Sequence, residues 1–75
     1  MYRISYNNNL ADVFEHSTLQ NCIDKLTAQA NTSGRFIITI PNKFEKQVDG
    51  EWQSITTGTD RDTIDTAISN WIQAQ

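Results

Sequence analysis

Cysteine is almost missing from this chain. Cys22 stands alone, which excludes an internal disulfide framework and any cysteine-rich zinc site. Long hydrophobic runs are missing too. No stretch approaches the roughly 18 consecutive apolar residues of a membrane span. The opening "MYRISYNNN" alternates polar residues and has no apolar signal-peptide segment. The cytoplasm is therefore the expected compartment, with no membrane partner, and the sequon Asn31-Thr32-Ser33 reads as chance. Positive charge is scarce: six Lys and Arg face nine Asp and Glu, for a net charge of −3. That balance argues against a broad basic field for holding nucleic acid. It is also too weak to imitate nucleic acid.

What is present belongs to a folded protein. Hydrophobic residues make up 37% and charged residues 20% of 75 residues, too apolar and too weakly charged for a disordered chain. The length suits a single domain over residues 1–75. A core of this size buries only about 60% of the unfolded surface, so stability is a few kcal/mol. No linker, repeat or low-complexity segment interrupts the chain.

Periodicity supplies the elements. "YRISY" alternates Tyr2, Ile4 and Tyr6 with Arg3 and Ser5, as a strand with one buried face does. Asn7 to Asn9 form a turn, and "LADVFEH" returns as a second strand. Ser17-x-x-Gln20 has the form of a capping box. Behind it Leu19, Cys22, Ile23, Leu26 and Ala30 mark the apolar stripe of a helix of about three turns. "NTSG" ends that helix, Gly34 taking a positive φ. "RFIITIP" is apolar on both faces, the pattern of a central strand. "FEKQV" and "EWQSI" flank Asp49-Gly50, a strong hairpin signal. In the last segment Thr59 or Asp60 caps a helix whose stripe is Ile64, Ala67, Ile68, Trp71 and Ile72. Asp62 and Asp65 lie toward its positive end. The expected fold is α+β: a two-layer sandwich with an antiparallel sheet of four to five strands and two helices on one face. Its order is β-β-α-β-β(-β)-α.

Catalytic chemistry finds little to use, and the expectation is a non-enzyme without cofactor or metal. Cys22 sits on the apolar stripe beside Leu19, Ile23 and Leu26, where a cysteine is a small buried hydrophobe. His16 reads as a surface residue or a local hydrogen-bonding group. "DRDTID" has the acidic spacing of a calcium loop but lacks its glycine and its terminal glutamate. Gly58 and Thr59 precede a helix start, yet three aspartates follow and would repel an anion. The acids cluster at turns and helix starts, wet places that offer no pocket to desolvate one of a carboxylate pair.

Recognition remains. The favoured expectation is a small protein-binding module. Short proteins of this kind include phage or mobile-element inhibitors that occlude host machinery, defence complexes among them, and the narrower expectation follows from that analogy alone. Trp52, Phe44, Lys46, Tyr6 and Glu51 are the candidate partner-binding residues. One alternative is single-stranded nucleic acid stacked on Tyr2, Tyr6, Phe44 and Trp52 beside Arg3, Arg35, Lys43 and Lys46. Another is a homodimer joined through strand edges or sheet faces. Trp52 separates these readings. A two-residue turn pairs Gln47 with Trp52 and puts the indole opposite Phe44, Val48 and Ile55. A bulge at Gly50 pairs Lys46 with Trp52 and turns the indole to the Phe44 side. Trp71, Phe36 and the helix stripes already fill the core, so Trp52 is expected on or near the open face.

Overall fold

The computed structural model describes residues 1–5, 13–33 and 43–75. Its elements run β1 (Tyr2–Ser5), β2 (Val13–His16), α1 (Leu19–Ser33), β3 (Lys43–Val48), β4 (Glu51–Ser54) and α2 (Thr59–Gln73). The described strands form one antiparallel sheet in the order β2-β1-β3-β4. The described elements thus form an α+β fold in the order β-β-α-β-β-α, consistent with the class and order that the periodicities predict. Strand β1 lies between β2 and β3, pairing Ile4 with both Phe14 and Phe44. The interior positions of the described sheet therefore belong to β1 and β3. The expected central strand "RFIITIP" lies outside the described residues, as do Tyr6, the Asn7–Asn9 turn, Leu10 and Gly34.

Alternation assigns the sheet faces. Ile4 and Phe44 point toward the helices and join Cys22, Ile23, Leu26 and Ala30 of α1 and Ile64 and Trp71 of α2. Ile55, just beyond β4, completes this buried cluster. Both helices cover the same face because each has only one apolar stripe to hide. They also meet each other: the Trp71 indole N–H donates to the Asn31 side-chain oxygen. Asn31, the first residue of the sequon, is thereby an interhelical hydrogen-bond partner.

Three expectations at the helix ends need correction. The cap of α1 is Thr18, whose Oγ1 accepts the Asn21 N–H at 3.2 Å. Ser17 lies one residue too early, and Gln20 turns instead to Asp24 at 2.9 Å. The helix also continues through Asn31 and Thr32 to Ser33, 15 residues in all, or about four turns. At α2, Thr59 is the first helical residue and Gly58 the cap, with no side-chain cap bond. Gly58 has φ 95° and ψ −173°, a region essentially restricted to glycine. Asp60 and Asp62 do fall in the first turn, near the positive end of the dipole. Asp65 accepts from Arg61 at 3.0 Å. At the far end of the stripe Ile72 is 49% exposed.

The hairpin has the tight register. Asp49 and Gly50 take φ of 52° and 81°, and positive φ at both central residues defines a type I′ turn whose twist matches the strands. Val48 pairs with Glu51, and Gln47 with Trp52. Trp52 is therefore on the face away from the helices, half-buried.

Candidate functional site on the open sheet face

Arg3 organises the open face. It alternates out of phase with the buried Ile4, so its side chain leaves the sheet on the side opposite the helices. Register places Glu15 on one side of it and Glu45 on the other. The guanidinium grips Glu45 with two hydrogen bonds, Nε to Oε1 at 3.1 Å and Nη2 to Oε2 at 3.2 Å. Nη1 lies 3.8 Å from Glu15 Oε1. Trp52 lies diagonally from Glu45 across β3 and β4. The centre of its ring is 4.1 Å from the guanidinium carbon, well within cation–π range.

The cluster spans all four described strands and holds one positive and two negative charges, a net −1. The Arg3 and Glu45 side chains are 27% and 15% exposed, so their two-pronged contact is shielded more than a surface pair. A fork-to-carboxylate arrangement also fixes both planes. Trp52 is consequently an aromatic surface held in one orientation. The arrangement suits recognition; it contains no nucleophile–base pair and no proton-transfer geometry. Among the described residues no group of three or more His, Cys, Asp or Glu is placed to hold a metal ion.

The candidate residues from the sequence are divided between two faces. Trp52 is on the open face. Phe44, at 6% exposure, is part of the core, and Arg61 lies over its ring at 5.0 Å. Lys46 points to the helix side, half-buried, its Nζ 3.6 Å from Asp60 Oδ2. Glu51 is exposed at the start of β4, on the Phe44 side by pairing. Tyr6 lies outside the described residues. Tyr2 packs against the helical core, so it and Phe44 cannot share a stacking platform with Trp52.

Two other places have chemical interest. Cys22 is fully buried, its Sγ 3.4 Å from the Tyr2 carbonyl oxygen. Burial pushes the thiol above its ordinary value of 9.0, partly opposed by a hydrogen bond with the His16 backbone. A thiol so placed stays protonated and inert. Beside the start of α2, an open depression of about 400 Å³ is lined by Lys46 and by residues 54 to 60. Asp60 and Asp62 disfavour an anion there, and Asp60 already occupies Lys46.

Sequence reasoning singled out Trp52 and named Arg3 among several basic residues near the aromatics, but not the carboxylates that hold Arg3. Glu15 and Glu45 read as ordinary polar positions of alternating strands. The Arg3–Glu45 contact joins residues 42 apart, and no local pattern encodes such a pairing. The one available signal was phase: Arg3, Glu15 and Glu45 all alternate away from Ile4, Phe14 and Phe44. No helix among the described residues is long and apolar enough to cross a membrane. No protein-family model, curated protein or solved structure matches this chain.

Proposed function

We propose that this chain is a non-enzymatic domain that acts by binding another protein. The observation that carries the reading is Trp52, held over Arg3 on a sheet face that neither helix covers. Trp and Arg are the residue types that most often dominate protein interfaces. Here both are immobilised before any partner arrives, which lowers the entropic cost of association. Occlusion of a host defence complex by a phage or mobile-element inhibitor is the form this activity takes by analogy.

The stacking alternative loses support from the register. Among the described residues, Trp52 is the sole aromatic on the open face, and of the basic residues proposed beside it Arg3 is engaged by Glu45 and Glu15 while Lys46 points to the helix side. Capture of partners from the native host on the tagged chain, followed by titration of the purified partner, tests the proposal. The expected outcome is a saturable complex weakened at least tenfold by Trp52→Ala, with the variant still folded. Oligonucleotide binding that falls steeply with salt, and no protein complex, would refute it.

A further inference from the structure

Strand β4 has one neighbour, β3, in the described sheet, and the chain from Lys43 to Gln75 is described throughout. Its outward backbone groups follow from the turn. A two-residue hairpin closes on a hydrogen-bonded pair, Val48 with Glu51, and bonded pairs then recur at every second residue. The Ile55 N–H to Phe44 carbonyl bond, 2.7 Å, fits that phase. Trp52 and Ser54 fall between bonded pairs, so their N–H and C=O groups point away from β3. No described backbone group meets them. An edge is commonly protected by shortness, charge, proline or a bulge. Glu51-Trp52-Gln53-Ser54 is short and carries one charge, but it has no proline, lysine or bulge.

We infer that the outer edge of β4 is a strand-addition site for an extended segment of the partner protein, with a basic residue opposite Glu51 and an apolar one beside Trp52. This rests on the protein-binding reading and specifies its geometry. Charge selects the occupant. Among the described residues, Asp49 and Glu51 enter no ion pair, whereas the nearby Lys46 is held by Asp60. The end of the edge nearest the turn is therefore acidic and uncompensated, and a cation on the added strand fits it. A second copy of this chain supplies no such cation, since residues 51 to 55 include no Lys or Arg. On the open face, the residue paired with Trp52 lies beside a side chain already fixed by Arg3. Pairing with Trp52 and Ser54 forms about four main-chain hydrogen bonds. The contact is short, so affinity for an isolated peptide is weak.

The test is a nuclear magnetic resonance titration of the intact chain with three capped heptapeptides of alternating valine and threonine. One has lysine at the position opposite Glu51, and one has glutamate there. The third is the lysine peptide N-methylated on the amides that face the protein. The lysine peptide should shift the Trp52 and Ser54 amides and bind about 3- to 10-fold more tightly than the glutamate peptide. The N-methylated peptide should not bind. Ser54→Pro removes an outward N–H without touching the bonds to β3, as an edge position tolerates, and should abolish the shifts. If that variant does not fold, the N-methylated peptide decides alone. Absence of shifts at millimolar peptide, shifts confined to other residues, or equal binding by the N-methylated peptide overturns the edge site. Concentration-dependent self-association that Ser54→Pro removes also overturns it, in favour of a second copy. A captured protein that binds Ser54→Pro as tightly as the parent refutes the edge alone and leaves the protein-binding proposal standing.

Discussion

Replacing Trp52 by alanine separates a surface indole from a core one. On the open face the side chain has two attachments: Arg3, 4.1 Å below its ring, and partial burial against neighbouring strands. Cation–π contacts contribute about 0.5–1 kcal/mol when exposed and about 2 kcal/mol when desolvated. With Arg3 27% exposed, about 1 kcal/mol is the reasonable share. Partial loss of apolar contact adds about 1 kcal/mol. Trp52→Ala should therefore cost about 2 kcal/mol, against about 3–5 kcal/mol for an aromatic removed from a core. Arg3→Ala should cost about 2 kcal/mol, because it strips Glu45 of two charge-assisted bonds in a shielded position. The double variant should cost about 1 kcal/mol less than the sum of the two. Urea unfolding followed by far-ultraviolet circular dichroism is the suitable assay, since fluorescence would lose one of its two reporters. A coupling within about 0.3 kcal/mol of zero would show that Arg3 does not hold the indole. A loss of 4 kcal/mol for Trp52→Ala alone would place the ring in the core and refute the tight register.

Further outcomes can be measured the same way. Trp71→Ala should cost about 3–5 kcal/mol, enough to unfold a domain of this size, and a melt like the parent's would contradict its place between the helices and the sheet. Thr18→Ala should cost about 1 kcal/mol through the lost cap and Ser17→Ala almost nothing; the reverse ranking in thermal melts would move the cap. Gly58→Ala should cost about 1–3 kcal/mol although a Cβ there meets nothing within 4 Å, because the backbone itself is strained; an unchanged midpoint refutes that conformation. The raised thiol pKa of Cys22 gives a pH signature. Its contribution is complete below the unfolded value near 9.0 and is lost as pH rises through the folded value, because only the unfolded thiol ionises readily. Cys22→Ala should remove that part of the alkaline loss, measured as the difference between the two stability–pH curves.

Local signals carried most of the fold and little of the site. The α2 stripe was legible because a period of 3.6 residues brings Ile64 and Trp71 onto one side, and both are buried. The β3–β4 hairpin was legible because Asp49-Gly50 accommodates two successive positive φ angles. Helix starts were less so. Ser17 and Thr18 are adjacent hydroxyls, and the Gln20 that suggested a capping box instead bonds Asp24. At α2 the cap signals, Thr59 and Asp60, were overridden by a glycine whose conformation no other residue readily takes. Ile72 followed the stripe by periodicity but is exposed. The Arg3 cluster depended on β1 pairing with both β2 and β3, a non-local choice made by the whole sheet.

The division of aromatic residues has a mechanical consequence. Here Trp71 performs the structural task, joining α1 through Asn31 and filling the core. Trp52 is left outside that core, but it is not free. Arg3 holds it, and Glu45 and Glu15 hold Arg3. The two carboxylates outnumber the guanidinium by one, so the cluster presents a fixed indole beside a net charge of −1. Among the described residues, Asp49 and Glu51 add unpaired acidity at the turn end of β4. A partner strand aligned on β4 would thus meet main-chain groups along the edge, an immobilised indole on one face and an acid on the other. Those three signals together fix direction and register, which main-chain hydrogen bonds alone do not. The binding strength of such a site should therefore respond to the order of apolar and basic residues in the partner segment. A scrambled segment of identical composition should bind at least threefold more weakly than the ordered one, and equal affinities would mean that Trp52 and Glu51 take no part in choosing the partner.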